Sequence, residues 1–267
     1  MTERLVHHGG VDPDPSLPAV VLLHGAGMDH TVWRGLSRHL ANHGRQVLAP
    51  DLPGHGRSGG PPLGTIDEMA CWVRALLDER GIKTTTIIGH SLGGLVALRV
   101  AAGTDGLIDN LIMIGSGAQL EVHPELQQAA DVGDRKAVEL ILSWSFGADG
   151  RVGGRTDPGT SSLVTCRRVL ENGIGVLGQD LRACSEYLAG EEDAGQIDAP
   201  CLVVSGSEDR MVRPAKSARL AGILKNARYE LVLGGGHMLM VQQPDRVRRL
   251  VDGVLPPRQV LGFRADV

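Results

Sequence analysis

The sequence predicts an α/β fold, a mostly parallel sheet covered by helices and interrupted by an inserted helical segment. Three observations predict it. Short apolar runs alternate with segments whose apolar residues recur at helical spacing between residues 19 and 114, the rhythm of a sheet buried on both faces. These runs end in glycine-bearing turns, among them Gly25-Ala26-Gly27, Gly89-His90-Ser91-Leu92-Gly93 and Gly115-Ser116-Gly117. The rhythm stops between residues 117 and 198 and resumes at Pro200.

Taken in order, residues 1–18 are polar and carry three of the 14 prolines, so they read as an edge hairpin or a loose lead-in. Residues 19–24 form a continuous apolar run, as a strand buried on both faces requires. Val32, Trp33, Leu36 and Leu40 share one face of a helix over 31–43, closed by Gly44. A second buried strand covers 46–49, and a helix covers 66–78. A β-branched run over 84–88 leads into Ser91, an apolar helix leaves it, and 111–114 is the next strand. Residues 117–198 read as a helical cap, with helices at 124–131, 135–144, 161–170 and 178–187 around a glycine-rich stretch at 146–154. Strands at 200–206 and 228–233 and a helix at 244–254 complete the sheet domain, and 256–267 reads as a loosely held tail. The expected organisation is a core of residues 1–116 and 199–267 with the cap at 117–198.

Composition narrows the functional classes. A hydrophobic content of 42% with 22% charged residues is ordinary for a globular protein. A net charge of -4 gives no electrostatic footprint for nucleic acid. No basic N-terminal segment leads into an apolar stretch, and no run is long enough to span a membrane, so a cytoplasmic protein without membrane attachment is expected. Cys71, Cys166, Cys184 and Cys201 lack metal-ligand spacing and are expected as free, mostly buried thiols.

The chemistry centres on Ser91. In Gly-x-Ser-x-Gly between a strand and a helix, the serine is forced into a sharp turn that exposes its hydroxyl at the carboxyl edge of the sheet. A serine needs a base, and His237, behind Gly234-Gly235-Gly236 and after the last strand, is the candidate among ten histidines. Asp209 follows the strand at 202–205 and is the candidate to orient that imidazole, with Glu208 its nearest rival. The order Ser, Asp, His matches that chemistry. Two amides should meet a developing oxyanion: that of Leu92, just after the nucleophile, and that of Ala26 in the turn after the first buried strand. Gly25, His30, Met113, Trp144, Phe146 and Met238 are the candidates for pocket lining, Leu142, Leu239 and Met240 standing beside them. Arg151 and Arg155 in the cap read as solvated loop charges with the capacity to meet an acidic substrate.

These blocks, with Asp51-Leu52-Pro53-Gly54-His55-Gly56-Arg57-Ser58 between them, resemble the α/β-hydrolase superfamily of the capped serine esterase and C–C hydrolase type. The likeness covers residues 18–116 and 199–253 and does not reach the cap. It implies an eight-stranded sheet, a cap after the sixth strand, the Ser91–Asp209–His237 triad, and no metal or organic cofactor. Relatives that open epoxides or carbon–halogen bonds carry aspartate at the elbow, so Ser91 argues against both reactions. The expected activity is hydrolysis of carboxylic esters of small to medium acyl compounds. A C–C bond hydrolase, a thioesterase or lactonase and a cofactor-free perhydrolase are the alternatives with the same triad, and a ligand receptor is the alternative without turnover. The expected partner is a small-molecule acyl substrate, with a monomer or a homodimer equally compatible.

Overall fold

A computed structural model describes residues 5–104, 106–147 and 161–255. The tail at 256–267, Arg151, Arg155 and most of the glycine-rich stretch lie outside the described residues. Strands β1 (Val6–His7), β2 (Ala19–Leu23), β3 (Gln46–Pro50), β4 (Thr85–His90), β5 (Ile108–Ile114), β6 (Cys201–Gly206) and β7 (Ala227–Val232) form one sheet. Its order is β1-β3-β2-β4-β5-β6-β7. Only β1 runs antiparallel, Val6 pairing with Pro50. The sheet is therefore mostly parallel as expected, but it has seven strands among the described residues, not eight.

Side chains leave each strand alternately to two layers. Val20, Leu22, Ile88, Ile112 and Val204 pack on one side beneath α1 (Arg34–Asn42) and α11 (Pro244–Asp252). Val21, Leu23, Ile87, Leu111 and Val203 pack on the other beneath α2 (Ile66–Glu79) and α3 (Leu92–Ala102). Thr65 and Glu68 close a capping box that fixes the start of α2. Met113 is fully buried in this second layer.

Between β5 and β6 run α4 (Pro124–Asp131), α5 (Arg135–Ser145), α6 (Ser162–Asn172), α7 (Ile174–Glu186) and α8 (Gly190–Gln196). The first four pack on one another, and their apolar faces (Leu126, Ile141, Leu177) join the first layer of the core. Helix α8, a short element without apolar periodicity, packs instead against α3 and against α9 (Pro214–Ile223). Neither α8 nor α9 is evident in the sequence pattern. Only Ser217 and Leu220 of α9 are buried, too few for a periodic stripe. A single turn, α10 (Leu239–Gln242), follows His237. No helix among the described residues is long and apolar enough to cross a membrane.

Candidate active site

The parallel register brings the strand ends together: Leu23 pairs with Gly89, His90 with Ile114, and Gly206 with Val232. The turns that follow these strands meet at one edge, where ligands of such sheets bind. Ser91 stands there with φ 52° and ψ -117°, the only non-glycine residue at positive φ among the described residues. A side chain in that region costs about 1–3 kcal/mol and persists only when its surroundings impose it. The surroundings do so here. Ser91 N–H donates to Ile114 O at 3.1 Å, Ser116 Oγ donates to Ser91 O at 2.9 Å, and Gly94 N–H donates to the same oxygen at 2.9 Å. The elbow also needs glycine: a Cβ on Gly89 would collide with Gly93 O, and one on Gly93 with Leu23 O.

Asp209 and His237 meet across the same edge. His237 Nδ1 lies 2.8 Å from Asp209 Oδ2, both residues being buried. The other carboxylate oxygen accepts the amides of Met211 at 2.9 Å and Val212 at 2.8 Å, so the acid cannot swing away. His237 N–H donates to Ser145 O at 2.7 Å, and His237 O accepts from His90 Nε2 at 3.1 Å. With Nδ1–H donating to the carboxylate, Nε2 is left as the acceptor. Glu208 is exposed, and it is Asp209 that faces the imidazole. Burial, with His237 alongside, holds His90 neutral, its pKa well below the ordinary histidine value.

Ser91 and His237 line one cavity of about 700 Å³ together with Ala26. Leu92 opens α3, so its amide precedes the first intrahelical bond and points no donor to its own helix. An apolar wall from Met28, Leu126, Ile141, Trp144 and Leu181 faces the serine, and Arg210, Arg213 and Lys216 stand at the rim. Lys216 pairs with Glu121 at 3.2 Å. Burial and the nearby Asp180 push the Cys184 thiol in this wall far up, so it is no rival nucleophile.

Of the expected pocket residues, Trp144 lines the cavity, its ring 5.4 Å from that of His123. Five others do not. Met113, Phe146 and Met238 are core side chains at 1% exposure or less, because strand and turn direct them into the layers beside the sheet. Leu142, Leu239 and Met240 are buried in the same way. Gly25 packs behind the site, where a Cβ would lie 2.8 Å from His90 Nδ1. His30 Nδ1 is 2.8 Å from Asp51 Oδ1, which also accepts the His30 amide at 2.7 Å. Asp29, His30 and Asp51 are the one group of metal-capable side chains among the described residues, and these bonds, with Arg57 N–H on Asp51 Oδ2, already engage the Asp51 carboxylate. His123 is exposed, as expected of a surface residue, and also lines the cavity, as do Met211, Val212, Arg213 and Lys216, whose only signal in the sequence is proximity to Asp209.

A further buried group sits behind Ala26. His24 Nδ1 donates to Gly25 O at 3.0 Å, and its Nε2 accepts from Leu52 N at 3.1 Å. Burial and the facing His55 drop its pKa to about 4, so it stays neutral. His55 Nε2 is 2.8 Å from Asp180 Oδ2 on α7, and the same oxygen accepts Gly27 N–H at 2.7 Å.

The model of the alpha/beta hydrolase family matches residues 20–250, and the chain belongs to that family. That membership supports a hydrolase. An uncharacterized protein of Mycobacterium tuberculosis is 29% identical over 265 residues, covering 90% of this chain and 76% of its own. A solved thermophilic esterase is 25% identical with a TM-score of 0.75, covering 95% of this chain and 97% of its own. The enol-lactonase of Burkholderia xenovorans LB400 superposes with a TM-score of 0.80 at 24% identity, covering 95% of this chain and 96% of its own.

Proposed function

We propose that the chain is a serine hydrolase that cleaves carboxylic esters of small to medium acyl compounds through an acyl-enzyme on Ser91. One observation carries the reading: the 2.8 Å Asp209–His237 bond stands in the cavity that a strained Ser91 enters. Ser91 Oγ attacks the acyl carbon as His237 Nε2 takes its proton. Asp209 holds the tautomer and the cation that results. The amides of Leu92 and Ala26 receive the oxyanion, and His237 returns the proton to the departing alcohol. Water, activated by the same imidazole, then releases the acid and restores Ser91. Residues 117–198 act as the lid whose apolar wall receives the acyl or alcohol group.

A lactone is an ester closed on itself, and the likeness to an enol-lactonase supports it as a second substrate form within this reading. Hydrolysis of a p-nitrophenyl acyl-chain series by the wild type and by Ser91→Ala tests the proposal. The expected result is turnover of short and medium chains that falls at least about 10⁴-fold in the variant, with circular dichroism unchanged. Equal turnover by both proteins overturns it.

A further inference from the structure

We propose that Asp180, on the helical insertion, is a positioning residue for the oxyanion turn: with His55 it holds the Gly27 amide, and through it the neighbouring Ala26 amide, in the receiving conformation. The inference rests on the serine-hydrolase reading only for its catalytic consequence.

The geometry begins with one face of α7. Gly173 at its N-cap, Leu177 and Asp180 are spaced four and three apart, so they stack on one side of the helix. All three meet Gly27. A Cβ on Gly173 would collide with Gly27 O, and one on Gly27 would lie 3.0 Å from Leu177 Cδ1. Asp180 Oδ2 accepts the Gly27 amide at 2.7 Å. Gly27 holds φ +61°, a conformation that L side chains rarely adopt, so the turn is built around this docking. The turn's own Met28 N–H to Gly25 O bond and His24 hold its start, and the insertion supplies the contact that holds the Gly27 amide.

The second half of the clasp is His55. Its Nε2 faces Asp180 Oδ2 at 2.8 Å, and its Nδ1 faces Pro53 O at 3.0 Å. Both neighbours are acceptors, so only the imidazolium satisfies both. Burial opposes that charge, but the hydrogen bond and charge of Asp180 outweigh it, and the His55 pKa is raised. The charged and titratable groups around the pair are His24 beyond β2, Asp51 beyond β3 and Cys184 on α7 itself. His24 is neutral and Cys184 protonated, which leaves His55 as the partner cation for Asp180.

Asp180 is fully buried, and its Oδ1 has no hydrogen-bond partner among the described residues. A half-satisfied buried carboxylate is a poor device for stability, since an apolar residue of similar size often serves as well or better. Its value lies in the two donors it orients. Because the folded pKa of His55 is raised, the clasp is complete at low pH and loosens as pH rises through that value.

The test compares wild type with Asp180→Asn and Asp180→Ala in the full chain, reading amide hydrogen exchange at residues 25–28 and ester turnover across pH. Both variants should lose Gly27 protection. Their kcat should fall about 10-fold, less than the about 10²–10³-fold loss of a whole oxyanion donor, with KM nearly unchanged. Wild-type kcat should decline on the alkaline side as His55 deprotonates. Asp180→Asn should lack that decline, because a carboxamide pairs with neutral imidazole at every pH. Unchanged Gly27 protection, or a kcat loss equal to the loss of folded protein, overturns the proposal. A wild type that turns over no ester or lactone and is not labelled by a fluorophosphonate overturns the serine-hydrolase reading instead. The exchange measurement then still decides whether Asp180 holds the turn.

Discussion

At the sheet edge, Ser91 and Asp209 are fixed by hydrogen bonds from nearby turns and strands, and His237 by His90 and by Ser145 O at the end of α5. Across the cavity, Ile141, Trp144 and Leu181 line the wall from helices that hold one another by packing. The two regions build one cavity by different physics. Turns locked by amide donors tolerate almost no displacement, because each bond has a direction and a length. Packed helices tolerate exchange of one apolar group for another of similar volume. On the proposed reading, chemistry belongs on the first, which the insertion reaches only through Ser145 O and Asp180, and substrate choice on the second.

The comparison breaks most visibly at Asp209. Asp209→Asn keeps shape and burial, but the Met211 and Val212 amides demand an oxygen at the Oδ1 position. The carboxamide NH₂ must then face His237 Nδ1, which forces the tautomer whose Nε2 carries the hydrogen. Turnover should fall about 10⁴-fold while KM and the melting temperature change little. Steady-state kinetics on a p-nitrophenyl ester checks it, and a loss confined to KM would remove Asp209 from the proton relay.

Gly93→Ala should act on folding instead. The added methyl would meet the backbone carbonyls of Leu23, the last residue of β2, and of His24 just after it, which cannot rotate away as a side chain would. A loss of about 3 kcal/mol or more in urea unfolding is expected. Gly175→Ala in the insertion should cost far less, since a Cβ there meets nothing within 4 Å.

The same contrast explains what could be read from the sequence. Ser91, Asp209 and His237 announce themselves because each sits in a local signature, a glycine turn directly after a strand. The strands β2 to β6 were legible because burial on both faces writes mostly apolar or β-branched runs, whereas β7, with Arg228 and Glu230 and only Val232 buried, carries a weaker signal. The cavity wall was not. Whether a leucine or methionine faces the core or a pocket depends on helix placement, so Met113, Phe146 and Met238 were indistinguishable from Trp144 before the fold was known. Asp180 was hidden for a stronger reason. Asp180 finds Gly27 across 153 positions of chain, and no local pattern encodes such a pairing.

Trp144→Ala tests the packed side of the cavity. Removing the indole should raise KM for medium-chain esters about 10-fold and leave kcat for an acetyl ester within about twofold, the behaviour of a group that binds substrate and transition state equally. A chain-length profile measures both. A comparable fall in kcat for every chain would mean that the wall, too, takes part in orienting the reacting carbon.

The smallest effect is the most diagnostic of the sheet edge. Ser91→Gly removes the hydroxyl and also the strained side chain at φ 52°. Glycine occupies that region without the steric cost, though it also gains freedom in the unfolded chain, so the two terms partly cancel. Relief of about 1–3 kcal/mol of strain against roughly 1 kcal/mol of added unfolded-state entropy leaves a net gain of up to about 2 kcal/mol. Chemical denaturation of Ser91→Gly beside Ser91→Ala separates them: alanine keeps the strain and should gain nothing. Equal stability of the two variants would mean that the elbow relaxes once the hydroxyl is gone. Its backbone would then be held by the serine's own contacts rather than by Ile114, Ser116 and the glycines around it.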